Sequence, residues 1–142
     1  VIVSIDHQSH LYLLTTEEYF HLTIDLYELD RYETVQYYKE LAQRLDIDDY
    51  MNEQIKYQSF GTKKKIQLIG SLLPKPDLLV CDEIFEGLDQ EAIEEVIQIF
   101  ITRSKNNQVT FFTTHQEIKK LNIPTKLFLL EDKSISLIGE FQ

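Results

Sequence analysis

Two hydrophobic patterns alternate along the chain. Short continuous apolar runs have the length and the β-branched or aromatic content of buried strands, and they occur at Val1–Ile5, Leu78–Cys81 and Val109–Thr113. Between them, apolar residues recur every three or four positions, which predicts amphipathic helices. The predicted helices cover Thr15 to about Leu29, Tyr32–Leu45, a segment that begins near Gln58 and stops before Pro74 and Pro76, and Gln90–Asn106.

The last part of the chain has a different pattern. A short helix is predicted over Gln116–Leu121, and two further strands, Lys126–Leu130 and Ser134–Ile138, are joined by the turn sequence EDK. The preceding order of strand, helix, strand predicts parallel strands, because a helical crossover connects them. We therefore expect an α/β fold with an α-helical insertion from Thr15 to Tyr57 and a C-terminal β-hairpin.

Composition and charge exclude several classes of protein. The chain has 142 residues and a formal net charge of −10, which argues against general nucleic-acid binding. No apolar run reaches the roughly 20 residues of a membrane-spanning helix. A single cysteine, Cys81, excludes an internal disulfide. The one dense basic run, Lys63–Lys65, is interpreted as a solvated helix face.

A pair of carboxylates at the end of a strand is the first candidate site. Asp82 and Glu83 directly follow Leu78–Cys81, and ligand sites of parallel sheets form at the carboxyl ends of strands. One acid is suited to hold Mg²⁺ and the other to deprotonate an attacking water, as in phosphoryl transfer. His115 follows the next strand and is expected nearby, in reach of a phosphate or the water. The alternative is that one acid caps a loop and the other is solvated.

The sequence QSFGTKKK is the second candidate site. Ser59, Gly61 and the start of a helix together provide backbone N–H groups, a hydroxyl and the positive end of the helix dipole. These groups form a cradle for an anion such as a phosphate. The alternative is an ordinary helix capped by a serine.

Taken in order, SFGTKK, LLVCDE, EGLD and TTH resemble the motifs of the ATP-binding cassette (ABC) ATPase family, the nucleotide-binding subunits of ABC transporters. They are similar to its signature motif, Walker B strand, D-loop and H-loop. The resemblance implies a P-loop NTPase-like parallel sheet, here incomplete, in one partial domain over 1–142. Within it, 1–14 would be the Q-loop strand and loop, 15–57 the helical subdomain, and 58–142 the remaining motifs and the hairpin.

The resemblance also implies roles for individual residues, with ATP and Mg²⁺ as cofactors. Asp82 would hold Mg²⁺ through water, Glu83 would be the general base, and His115 would contact the γ-phosphate. The Q-loop position falls on Asp6 by spacing, as a weak metal and nucleotide contact, or on Gln8 by side-chain type. The remaining nucleotide contacts would come from the signature and D-loop residues Ser59, Phe60, Gly61, Thr62 and Asp89.

The partners implied by the resemblance are a transmembrane permease subunit and a second ATP-binding subunit in a head-to-tail dimer. The protein would lie on the cytoplasmic face of the membrane without inserting into it, and it would not bind nucleic acid.

The Walker A sequence G-x-x-x-x-G-K-[ST] does not occur in the 142 residues. The chain also begins with valine and opens directly on a strand-like run. We therefore expect a fragment of an ABC ATPase domain that is inactive by itself. The alternative is a catalytically silent ABC-like module with a regulatory or binding role.

Overall fold

The strands form two separate sheets, and the α-helices lie between the strands of the first. The structure, a computed structural model, describes residues 2–3, 11–115, 121, 123, 125–131 and 133–141. The α-helices are α1 (Thr16–Leu26), α2 (Arg31–Arg44), α3 (Phe60–Leu72) and α4 (Gln90–Lys105). The strands are β1 (Ile2–Val3), β2 (Leu78–Cys81), β3 (Val109–Phe112), β4 (Thr125–Glu131) and β5 (Ser134–Phe141).

The first sheet is parallel and has the order β1-β2-β3, which confirms the sequence-based fold class. Helix α4 provides the crossover from β2 to β3, and its apolar face includes Ala92, Val96 and Phe100. The register pairs Leu78 with Val109 and continues without a shift to Cys81. The predicted hairpin is also confirmed, because β4 and β5 pair antiparallel and close at Glu131 and Ser134.

One face of β2 is buried and the corresponding face of β3 is partly buried, so the prediction that both are buried strands is wrong for the other face. Leu79 and Cys81 are fully buried, whereas Leu78 is 50% exposed. On β3, Val109 and Phe111 are exposed, while the Phe112 ring packs on Phe100 of α4 at 5.5 Å between centroids. Because side chains alternate along a strand, α4 covers one face only.

The helical segment between β1 and β2 is fixed by capping and by a shared apolar core. Thr15 and Glu18 form the predicted capping box at the start of α1. The helix ends at Leu26 instead of the predicted Leu29, because Glu28 adopts a left-handed conformation (φ +51°) and the Leu29 N–H bonds back to the Ile24 carbonyl. Phe20 of α1 and Tyr38 of α2 are both fully buried, with ring centroids 5.0 Å apart.

Two predictions lie outside the described residues. The Q-loop candidates Asp6 and Gln8 fall within 4–10, and the predicted short helix Gln116–Leu121 falls almost entirely within 116–120. Over the ranges that the structure does describe, no helix has the length and apolar character needed to cross a membrane.

The crossing of α1 and α3 depends on the missing side chain of Gly70. A Cβ atom at this position would lie 2.5 Å from the Tyr19 ring. We expect Gly70→Ala to lower the free energy of unfolding by about 1–3 kcal/mol through overpacking, partly offset by the better helix propensity of alanine. In a Tyr19→Ala background the clash is absent, so the same substitution should become neutral or stabilising. Urea denaturation of the four proteins measures both effects, and an equal loss in both backgrounds would contradict the packing argument.

Candidate functional site

Parallel pairing brings the ends of β2 and β3 together and places Asp82 beside Thr113. The Thr113 N–H donates to the Cys81 carbonyl at 3.0 Å, which extends the register past the end of the strands. The Thr113 hydroxyl donates to Asp82 Oδ1 at 2.6 Å and accepts from the Glu83 N–H at 2.8 Å. One threonine therefore orients the Asp82 carboxylate and fixes the backbone of Glu83.

Glu83 and His115 form a direct pair, as their positions at two strand ends predict. Their Oε1 and Nε2 atoms are 2.7 Å apart, and the His115 side chain is 87% exposed. The hydrogen bond from His115 is the largest of the effects that hold the Glu83 pKa below its usual value of 4.5. Glu83 is thus an ionised acceptor at neutral pH, and His115 Nε2 carries the proton of this bond.

The first turn of α3 carries the predicted signature residues. Ser59 is its N-cap, and its Oγ accepts from the Thr62 N–H at 3.1 Å and lies 2.9 Å from Thr62 Oγ1. A Cβ atom on Gly61 would collide with the carbonyl oxygen of Gly87, so the turn packs closely against the loop after β2. Gly87 itself has φ +76°, a conformation that favours glycine.

Asp89 connects the end of this loop to both neighbouring helices. Its Oδ1 accepts from the Ala92 N–H at 2.8 Å and caps α4, as predicted from the sequence. Its Oδ2 lies 3.5 Å from Lys65 Nζ of α3. The helix-cap hydrogen bond, followed by the charge of Lys65, holds the pKa of Asp89 below its usual value of 3.8.

The three lysines of α3 are not a uniform solvated face, so that interpretation is wrong. Lys64 is only 2% exposed. Its ammonium group donates to the backbone carbonyl of Glu83, lies 3.8 Å from the Glu86 carboxylate, and sits 4.8 Å from the centre of the Phe60 ring. The side chain is buried because the loop after β2 folds over the first turn of α3.

The structure thus joins the two candidate sites through one loop. Asp82, Glu83 and His115 form one cluster, and the signature turn and Asp89 lie against the other end of the loop. Sequence reasoning gave no role to Thr113 and treated Lys64 only as one of three similar lysines. Extending the parallel register past Cys81 places Thr113 beside Asp82, so a contact between them could have been predicted. No feature of the sequence distinguishes Lys64 from Lys63 and Lys65. In the described part of the chain, no group of three or more His, Cys, Asp or Glu residues is placed to hold a metal ion.

The parallel sheet, the carboxylates and histidine at its carboxyl edge, and the helical segment between β1 and β2 are the arrangement that the resemblance to ABC ATPases implies. The family described as "AAA domain, putative AbiEii toxin, Type IV TA system" matches residues 21–118, and the chain belongs to this family.

Individual relatives confirm the resemblance to ABC ATP-binding proteins. The chain is 36% identical to the "Uncharacterized ABC transporter ATP-binding protein YhaQ" of Bacillus subtilis over 81 residues, which are 55% of this chain and 27% of that protein. It is 31% identical to the "ABC transporter ATP-binding protein NatA" of the same organism over 99 residues, 68% of this chain and 40% of the relative.

A solved structure described as "Structure of ATP binding subunit of ABC transporter" shares the fold with a TM-score of 0.71 at 24% identity. The match covers 76% of this chain and 45% of that one. The chain therefore spans less than half the length of each of these three proteins.

The Asp89 cap makes the stability of α4 depend on pH. At pH 7, Asp89→Ala should lower the free energy of unfolding by about 1 kcal/mol, the usual value of a lost N-cap. Because the folded-state pKa is depressed, the ionised carboxylate stabilises the fold above the unfolded-state pKa, and this contribution disappears as the pH falls through the folded-state pKa. Urea denaturation at pH 7 and near pH 3 measures the change.

Asp89→Asn is the matched control, since an amide oxygen still accepts from the Ala92 N–H but carries no charge. We expect it to retain most of the capping effect and to lack the pH-dependent part. If Asp89→Asn and Asp89→Ala are equally destabilised at pH 7, the capping hydrogen bond contributes nothing and the interpretation fails.

Proposed function

We propose that the complete protein is the ATP-hydrolysing subunit of an ABC transporter that powers a membrane permease, and that this chain is part of its ATPase domain. The observation that carries the proposal is the Glu83–His115 pair beside Asp82 at the carboxyl edge of the parallel sheet. Such an edge is where ligands bind in open α/β sheets. The names of the ABC relatives supply the class of reaction.

Asp82 fits a role as the magnesium residue. Its carboxylate is exposed at the sheet edge, and Oδ1 is oriented by the Thr113 hydroxyl. Carboxylate oxygens suit Mg²⁺, which keeps several of its waters, so Asp82 would hold the ion through water. Bound there, the ion would neutralise charge on the phosphates of ATP.

Glu83 would act as the general base. Its lowered pKa keeps the carboxylate ionised at neutral pH, which is the protonation state a base requires. His115 donates to the same carboxylate and would orient it, and it would contact the γ-phosphate when its Nε2–H turns from Glu83 to a phosphate oxygen. Because a carboxylate with two oxygens accepts several hydrogen bonds, the pairing with His115 leaves acceptor capacity for a water.

The signature turn would serve a second nucleotide. Ser59, Phe60, Gly61 and Thr62 would contact the γ-phosphate held by the opposite subunit of a head-to-tail dimer, and Asp89 would connect the two sites. The N-terminus of the 13-residue helix α3 supports this role, since it directs N–H groups toward an anion. Asp6, in the part not described, would be the Q-loop contact. The permease would place the dimer at the cytoplasmic face of the membrane.

The loop that would hold the phosphates of ATP is missing from this chain, because the sequence has no Walker A motif. A cleft of about 280 Å³ supports the proposal that a further part of the domain completes the sheet. It is lined by Val109–Phe112 of β3 and Thr125–Phe128 of β4, two strands that are not neighbours in either sheet. An edge strand beside an apolar cleft is suited to pair with an additional strand.

This proposal predicts that the 142-residue chain by itself does not hydrolyse ATP. The sequence lacks the Walker A motif, whose backbone amides and lysine wrap the β- and γ-phosphates. Phosphate release should not exceed that of buffer with ATP and Mg²⁺. Robust magnesium-dependent turnover by the purified chain would refute the fragment proposal.

In the complete protein, Glu83→Gln should retain ATP binding and lower the hydrolysis rate by about 10²–10⁴-fold, the usual contribution of a general base. Glu91→Gln is the matched control, because Glu91 is an exposed carboxylate on α4 outside the site. Filter binding and phosphate release measure the two properties separately. Equal loss of binding and hydrolysis would argue against the general-base role, and a complete protein that lacks both activities would favour a regulatory or binding module.

A further inference from the structure

The backbone of Glu83 has a conformation that a residue with a side chain rarely adopts. Its φ is +44°, in the left-handed region. Such a residue is strained, and it persists only where the surrounding structure holds it in place. The conformation matters here because the Glu83 side chain is the one that pairs with His115.

Two side chains from different elements hold the peptide groups on either side of Glu83. The Thr113 hydroxyl, after β3, accepts from its N–H at 2.8 Å, and the Lys64 ammonium, from α3, donates to its carbonyl. Side chains thus reach both backbone polar groups of a single strained residue, and its carbonyl also accepts from the Glu86 N–H at 3.1 Å in the turn that follows.

The Lys64 ammonium group is buried, and the groups around it are those that a buried charge requires. A buried ammonium is costly unless hydrogen bonds and charges compensate it. Here the Glu83 carbonyl, the Glu86 carboxylate at 3.8 Å and the Phe60 ring at 4.8 Å surround the ammonium of a residue that is 2% exposed. Its neighbour Lys63 instead donates to the Lys56 carbonyl at 3.1 Å and makes no contact with this loop that the structure records.

Lys64 also belongs to the first turns of α3, whose N-cap is Ser59. The same turns touch the loop a second time, where Gly61 packs on the Gly87 carbonyl. The helix start and the loop therefore meet beside Gly87, at Glu83 and Glu86 through Lys64, and at Asp89 through Lys65.

We propose that Lys64 is a positioning residue that holds Glu83 in its left-handed conformation and links the first turn of α3 to the carboxylate that pairs with His115. The catalytic part of this inference rests on the proposed function, in which Glu83 is the general base. A shift of the signature turn, on engaging a phosphate, would move the Glu83 carbonyl through Lys64.

Nuclear magnetic resonance of the isotope-labelled 142-residue chain tests the inference. In a left-handed residue the amide and α protons lie close together, so wild-type Glu83 should give a strong intraresidue nuclear Overhauser effect (NOE). Lys64→Met keeps the length of the side chain but removes the donor, and we expect loss of this strong NOE. Lys63→Met removes the same charge one residue away and should leave it unchanged.

A second measurement does not depend on the variant being folded. In the wild-type chain, the buried Lys64 ammonium protons should exchange with water more slowly than those of the exposed Lys39. Exchange as fast as that of Lys39, or a folded Lys64→Met variant that retains the strong Glu83 NOE, would overturn the inference.

These results are separable from the catalytic proposal. If Glu83→Gln leaves hydrolysis by the complete protein intact, the general-base role fails while the Lys64 contact stands. If the NOE and exchange results are negative, the positioning role fails while Glu83 remains a candidate base.

Discussion

The in-register parallel pairing of β2 with β3 is the constraint on which the rest of the site depends. It places Cys81 opposite Phe112, so the residues that follow the two strands emerge side by side. Thr113 then reaches both the Asp82 carboxylate and the Glu83 amide. A slip of one residue would turn the side chains of β3 to the other face and separate these groups. The backbone hydrogen bonding between the two strands thus determines which side chains meet where the strands end.

The loop from Glu83 to Asp89 is held at both ends by charge and in the middle by close backbone packing. Lys64 and Lys65, adjacent in sequence, bind opposite ends of this loop because neighbouring residues of a helix point in different directions. Between these two ends, the missing side chain of Gly61 permits α3 to pack closely against the Gly87 carbonyl. Local strain at Glu83 is therefore balanced by contacts that come from a different part of the fold.

Sequence reasoning predicted the features that depend on periodicity and on residue type at element ends. The bounds of β2 and the caps Thr15 and Asp89 follow from local rules. The proximity of His115 to Asp82 and Glu83 follows from the predicted parallel sheet. Burial of Lys64 does not, because it arises from a loop that folds back over the helix. The exposed face of β3 was also missed, since an apolar run gives no information about which neighbours are present to cover it.

The apolar surface on β3 and on the hairpin has a consequence for how the chain behaves in solution. Val109, Phe111, Leu130 and Ile135 are all exposed, and open strand edges with apolar side chains attract one another. The net charge of −10 opposes this attraction through mutual repulsion between molecules. Salt screens that repulsion but not the hydrophobic attraction. The colloidal stability of the chain should therefore fall as the ionic strength rises.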